Sequence, residues 1–312
     1  HQELLMRDIR YILWCNPSKP RYFASSPPAD SDLSGVGADF EKSSTGNNST
    51  GNNSSEESTV WICEGGLQRV GADIQREDFC FDNETPQHKV FLQPYAISHR
   101  TVSNTEFADF IEDSGYQNSS LWLSEGWDYI NGNNISAPLY WNTEAGGRGD
   151  WKEYTLHGEE SIQWNVPVSH ISFHEAYAYA RWANKRLPTE FEWEYFAKHE
   201  QGKNGDSEGG NLEQYLENNL ARAYYPEGEK GFVGVSGGLW EWTSSAYAPY
   251  PGYYSEKDAF GEYNGKFMIN QMVLRGGCFA TPRAHFRVSY RNFYQASQRW
   301  AFTGIRLAEN TL

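Results

Sequence analysis

Apolar positions in HQELLMRDIRYILW fall at Leu4, Leu5, Ile9, Ile12 and Leu13, along one side of a helix of period 3.6. Pro17 and Pro20 follow and close that helix. Residues 25–58 carry no period at all. They are rich in Ser, Gly and Asn and have almost nothing to bury, so a flexible linker or insertion is expected there. The pattern resumes at Thr59. TVWICEGGLQRVGA and HKVFLQPYAISHR alternate as short strands divided by Gly-rich turns. Three helices then start at capping boxes: Ser103 with Glu106, Ser172 with Glu175, and Thr189 with Glu192. In each, the hydroxyl accepts from a backbone N–H while the carboxylate three residues on reaches back. The first of these helices is expected to stop at Gly115, placed as a C′ glycine. Between and after them run long segments rich in Trp, Tyr, Gly and Asn. Loops of that length in a compact domain are functional or are held by aromatic packing. The pattern therefore predicts a helical piece (1–24), a linker (25–58) and an α+β domain with much irregular structure (59–312).

Composition narrows the function. Aromatic residues make up 16% of the 312 positions while all hydrophobic residues reach only 38%, which favours a loop-rich fold on aromatic anchors over a Leu/Ala helical bundle. A formal charge of −15 with no basic stripe argues against nucleic-acid binding. No apolar run is long enough for a membrane span, and no signal-peptide pattern is present. The cysteines Cys15, Cys63, Cys80 and Cys278 form no CxxC pair, which excludes a zinc ribbon. A Cys63–Cys80 disulfide is one option. Unbridged thiols in a reducing cytoplasm are the expectation for a large domain with few cysteines. His170 and His174 stand four apart but straddle the N-cap Ser172, so they should not share a helix face or a metal.

NVPVSHISFHEAYAYARWANKRLPTEFEWEYFAK, GGLWEWTSS and VLRGGCFA…GIRLA resemble the formylglycine-generating enzyme (sulfatase-modifying factor) family. The resemblance runs over about residues 59–310. It implies a C-type-lectin-like α+β fold. WEWTSSAYAPYPGY, the stretch from GEYNGKF to GIRL, and the opening HQELLMRDIRYILWCNPSKPRY more narrowly resemble the ergothioneine-biosynthesis sulfoxide synthases. Those enzymes join a DinB-like four-helix bundle to the lectin-like domain. Their Fe(II) sits on three histidines, two of them in an HxxxHxE motif, and they couple hercynine to a thiol with O2. Histidines at i and i+4 share one helix face and can meet one metal.

The resemblance places His1 on the second histidine of that motif and Glu3 on its carboxylate. It implies that this chain is N-terminally truncated, holds the last helix of the bundle, and is inactive alone. Glu3 is either an orienting carboxylate beside the ligand or a solvated helix residue. Asn292 keeps an Asn that helps to hold hercynine in the mycobacterial-type enzymes. Phe293 and Tyr294 stand where those enzymes have Trp and Asp, and Gln298 where they have Arg. Both charged partners of a glutamyl group are thus absent, which favours cysteine over γ-glutamylcysteine. Phe293 and Tyr294 read equally as core aromatics. Tyr263 is a candidate proton donor, and Trp240, Trp242, Tyr247 and Tyr253 are candidates for cation–π contact with a trimethylammonium group.

Formylglycine-generating enzymes hold copper on two cysteines after the RGGS-like turn. Here Thr281 takes the first position and no second cysteine follows within ten residues, which argues against that oxidase chemistry. Family members often carry a structural Ca2+, but Gly238 replaces a common Asn. The alternative to an enzyme is a lectin-like binding module. The domain from about residue 59 onward is expected to fold without residues 1–24.

Overall fold

The computed structural model describes residues 1–23, 60–75, 79–144, 146–203, 222–223, 235, 237–255, 261 and 263–311. The expected linker 25–58 lies outside the described residues.

The described chain runs as α1 (Gln2–Cys15), β1 (Val60–Cys63), β2 (Gly66–Val70), β3 (His88–Leu92) and β4 (Tyr95–Ser98). Then come α2 (Asn104–Glu112), α3 (Ser124–Gly132), β5 (Trp141–Asn142), β6 (Lys152–Thr155), β7 (Gly158–Ser161), α4 (Phe173–Trp182) and α5 (Glu190–Lys203). The last stretch supplies β8 (Trp240–Ala246), β9 (Met272–Arg275), β10 (Asn292–Tyr294), β11 (Thr303–Gly304) and β12 (Ala308–Asn310). These form small sheets ordered β1-β4-β12, β10-β9-β8-β11, β2-β3 and β5-β6-β7, which makes the domain α+β. All pairings are antiparallel except β11 on β8.

All three capping boxes form. Ser103 Oγ accepts from Glu106 N–H, Ser172 Oγ from Glu175 N–H, and Thr189 Oγ1 from Glu192 N–H. Each capping glutamate also meets an arginine: Glu106 with Arg100, Glu175 with Arg299, Glu192 with Arg186. Two of these arginines lie six residues before their glutamate, while Arg299 ties the start of α4 to a segment 124 residues away. The larger core lies between α2, α4 and the β8–β9 pair, with Phe107 stacked on Tyr179 at 5.4 Å. A second core packs α5 against β1 and β4 through Trp193, Phe196, Tyr95 and Ile97.

One sequence expectation is corrected. The helix α2 ends at Glu112, and its left-handed residue is Ser114 (φ 63°), not Gly115. Gly115 is needed for space, because a Cβ there would lie 2.1 Å from the Phe110 ring. The apolar side of α1 is only partly covered: Leu4, Ile9 and Leu13 are half-buried. Leu5 and Ile12 are 60% and 65% exposed, and the helix docks through Glu3, Met6, Arg7 and Arg10. No cysteine is in a disulfide, so the Cys63–Cys80 option is not realised.

The sheets are short, and buried ion pairs hold the connections between them. Glu190 Oε2 accepts from Arg291 Nε at 2.8 Å and from Arg275 Nη2 at 3.2 Å, and Glu194 Oε2 accepts from Arg275 Nη2 at 2.6 Å. Glu241 accepts from both Arg306 and Trp193 Nε1. Removing one partner of such a pair leaves an uncompensated buried charge. Glu190→Gln is expected to lower unfolding stability by about 3–5 kcal/mol in a urea titration. Lys185→Ala, which breaks the exposed pair with Glu309, should change it by less than about 1 kcal/mol in the same titration.

Candidate functional site at the head of the first helix

Three side chains one helical face apart seat α1 on the domain. Glu3, Arg7 and Arg10 follow the i, i+4, i+7 spacing of a single stripe. Glu3 Oε1 accepts from Trp240 Nε1 at 2.9 Å, and Glu3 Oε2 accepts from Thr281 Oγ1 at 2.9 Å. Arg7 Nη1 donates to Tyr294 Oη at 2.8 Å, and its guanidinium lies 4.0 Å over the Trp300 ring. Arg10, 4% exposed, donates to Glu153 Oε1 at 2.9 Å and stacks on Tyr140. Its Nη1 also lies 2.9 Å from His170 Nε2. A charged helix face thus does most of the work of an apolar seam, beside the packing of Met6 on the core and of Trp14 on Tyr140.

The partners of Glu3 come from two elements that local sequence positions firmly. Trp240 opens β8, with its ring 5.5 Å from that of Tyr290. Thr281 closes the Gly276–Gly277 turn after β9. Both glycines have φ in the left-handed region (99° and 74°), and the Cys278 N–H donates to Thr281 Oγ1 at 3.0 Å. Cys278 is fully buried, and burial pushes its thiol well up, so it is held as an inert thiol. Beyond Trp240 the cluster continues through Tyr290 to His285, 5.0 Å away, and to Phe81, 5.8 Å away.

The predicted site residues separate into two faces of β10. Asn292 and Tyr294 share one face, where burial and then the Glu3 charge push the Tyr294 phenol up to about 12, while Arg7 and Asn292 act against that rise. Phe293 points the other way and stacks on Tyr247 at 4.1 Å and an interplanar angle of 11°. The strand does not present the three side chains to one pocket. Tyr263 is 66% exposed, on a loop anchored where Asn264 Nδ2 donates to Asp82 Oδ1 at 2.6 Å.

His1 caps α1 on the exposed surface without a side-chain capping bond. Among the described residues no group of three or more His, Cys, Asp or Glu side chains could hold a metal ion. The donors here therefore do not by themselves fit an iron site: one imidazole is offered, and both Glu3 oxygens are already engaged. The structural Ca2+ that the resemblance leaves open meets no group of three or more such side chains among the described residues either. His170 (φ 60°) precedes α4 and is buried against Arg10, while His174 lies within the helix beside Gly126.

The aromatic candidates serve the fold. Trp242 Nε1 donates to Ile171 O, and Tyr253 Oη donates to Asp82. Tyr247 already has the Arg291 guanidinium 5.1 Å over its ring. Trp240 and Thr281 as partners of α1, and Arg7 and Arg10 as its docking side chains, are functional residues that the sequence reading does not single out. The spacing of Glu3, Arg7 and Arg10 was the available signal, hidden by the more conspicuous apolar stripe.

Fold and site together define a domain of the formylglycine-generating type. The chain belongs to the family of the sulfatase-modifying factor enzyme 1-like domain, which matches residues 45–311. Hercynine oxygenase of Mycobacterium tuberculosis is 35% identical over 260 residues, covering 77% of this chain and 58% of that protein. Ergothioneine biosynthesis protein 1 of Schizosaccharomyces pombe is 27% identical over 258 residues, covering 77% of this chain and 30% of that protein. The formylglycine-generating enzyme of Streptomyces coelicolor is 29% identical over 277 residues, covering 75% and 81%. Within its family the chain thus resembles the hercynine oxygenases, and it spans 56–61% of the length of the three it matches. The solved structure of PvdO from Pseudomonas aeruginosa shares the fold at a TM-score of 0.51 and 19% identity, covering 81% of this chain and 94% of that one.

His285 offers a measurable consequence. Burial first, and then the Arg287 charge, hold its pKa below the usual 6.5, and burial lowers those of His170 and His174 in the same direction. Above pH 6.5 these imidazoles are neutral in both states. As pH falls through 6.5 the unfolded chain takes up protons first, so stability is lost towards each folded-state pKa. NMR titration should give a His285 midpoint below 6.5. His285→Asn should flatten part of the stability loss on going below that pH.

Proposed function

We propose that this chain forms the substrate-positioning part of a sulfoxide synthase that joins hercynine to a thiol with O2. The observation that carries the reading is the Glu3 clamp. It holds the helix end that bears His1 against β8 and the 276–281 turn, while the same helix face touches Tyr294 on β10. The identity to hercynine oxygenases supports it.

In the proposed reaction an imidazole C–H and a thiol S–H are broken, and a C–S and an S–O bond form. Dioxygen supplies the sulfoxide oxygen and leaves with both hydrogens as water. Fe(II), when bound, would supply the O2 chemistry. His1 is this chain's contribution to it, and the remaining histidines belong to a further DinB-like helical segment. The uncovered apolar stripe of Leu5 and Ile12 on α1 is the surface such a segment would cover. The residues of this chain then position. Glu3 fixes the start of α1, Asn292 and Tyr294 face the same side of β10, and Phe293 braces that strand from behind on Tyr247. Tyr263, exposed at the loop tip, is the proposed proton donor.

Cysteine is the proposed thiol. Neither Tyr294 nor Gln298 offers a charge to a glutamyl group, and the Tyr294 hydroxyl is already engaged by Arg7. Four cysteines outside any disulfide suit a reducing cytoplasm, and no helix among the described residues is long and apolar enough to cross a membrane.

The test uses the protein expressed from its whole reading frame, with Fe(II), O2, hercynine and either cysteine or γ-glutamylcysteine. A sulfoxide adduct with cysteine is expected by mass spectrometry, and the 312-residue chain alone should give none. Absence of product with both thiols would refute the reading. Tyr263→Phe should lower turnover about 10²-fold or more with little change in substrate affinity.

A further inference from the structure

Most of the well-buried arginines described here share one rule. Arg10, Arg275, Arg287, Arg291, Arg299 and Arg306 each meet a carboxylate oxygen at 2.6–2.9 Å. Arg7 breaks it. Its side chain is only 13% exposed, yet its nearest carboxylate is Asp8 Oδ1 at 3.6 Å, on a side chain that is itself 62% exposed. Among the described residues its one hydrogen bond runs to a neutral phenol, Tyr294 Oη, and its buried Nε, the atom nearest Asp8, makes no hydrogen bond. Arg10 and Arg275 also leave Nε unpartnered, but each is neutralised elsewhere on its guanidinium.

The guanidinium is nonetheless held firmly. It lies 4.0 Å over Trp300 and 5.7 Å over Tyr294, rings that pack edge to face at 5.0 Å. A planar fork fixed against two aromatic rings, with most N–H groups unspent among the described residues, is prearranged for a carboxylate. It sits one turn beyond Glu3 and six residues from His1, roughly 9 Å along the helix axis. Its bond to Tyr294 turns it to β10, the proposed substrate strand.

We propose that Arg7 binds the α-carboxylate of an amino-acid substrate, with Tyr294 and Trp300 as the frame that orients its guanidinium. The inference rests on the function proposed above. Hercynine and cysteine both carry such a group, so the shared chemistry is an α-carboxylate and the test separates the two sources.

Calorimetric titration of the protein expressed from its whole reading frame would compare hercynine with its decarboxylated counterpart, and L-cysteine with cysteamine. In one pair the carboxylate-bearing member should bind about tenfold to hundredfold tighter. Arg7→Gln and Arg7→Met (the latter keeping an apolar stem on Trp300) should abolish that preference and leave the decarboxylated member unchanged. The responding pair identifies the source. In the wild-type protein the Arg7 Nε–H resonance should shift with the carboxylate-bearing ligand only, a readout that does not depend on the variants folding. The inference is overturned if that resonance is unmoved, if no carboxylate ligand is preferred, or if folded Arg7 variants keep the preference. A responding Arg7 in a protein that forms no sulfoxide would sink the proposed reaction and leave the carboxylate site standing.

Discussion

The buried carboxylate–guanidinium pair is the interaction on which this fold depends. Its strands run two to seven residues, and long connections without regular structure lie between them. Such connections cannot satisfy their own backbone groups by ladder pairing, so arginines do it. Arg291 donates to Glu190 and also to the carbonyls of Asn83 and Ala248, while Arg275 reaches the carbonyls of Val288 and Tyr290. Arg275 ends β9 and Arg291 precedes β10. The pairs on Glu190 and Glu194 therefore fix both the glycine turn that carries Thr281 and the strand that carries Asn292 and Tyr294. The site geometry follows from these pairs more than from the sheets.

The same chemistry explains how α1 is attached. An apolar seam would fix the burial of the helix but leave its rotation loosely defined. Glu3, Arg7 and Arg10 instead make directional bonds to Trp240, Tyr294 and Glu153, and these set rotation and register together. Arg10 is buried as deeply as a core residue, so residues 1–23 complete the domain surface they touch. A piece from residue 59 onward would keep the ion pairs made within it and both larger apolar cores, and would lose the exposed Lys19–Glu159 pair. It would leave Glu153 without Arg10 and Tyr154 Oη without the Pro20 carbonyl.

The helix starts were legible in the sequence because a capping box is local: Ser103, Thr189 and Ser172 each find their glutamate three residues away. The α+β class followed from the mix of short strands and capped helices. The docking face of α1 was not legible, because periodicity reports where apolar residues lie and not which face meets the domain. Leu5 and Ile12 define the stripe, while the polar stripe makes the contact. Gly115 was misassigned for a related reason. Its absent Cβ makes room for Phe110, a demand of packing that turn chemistry alone does not express. The partners of Glu3 lie 237 and 278 residues along the chain, beyond any spacing argument.

Thr281 shows how one turn can serve different chemistry within a family. Its backbone is set by Gly276 and Gly277 and by the Cys278 N–H bond to its own hydroxyl, so its side chain is aimed before any partner is present. A cysteine at this position would present a soft sulfur suited to copper. A threonine presents a hydroxyl that donates to Glu3, so the turn holds a carboxylate of the incoming helix and has no thiolate to offer a metal. The residue at this fixed backbone position thereby decides what the turn can hold, and here it holds a carboxylate of α1. The helix then needs a charged face to find that hydroxyl, and Glu3, Arg7 and Arg10 supply it.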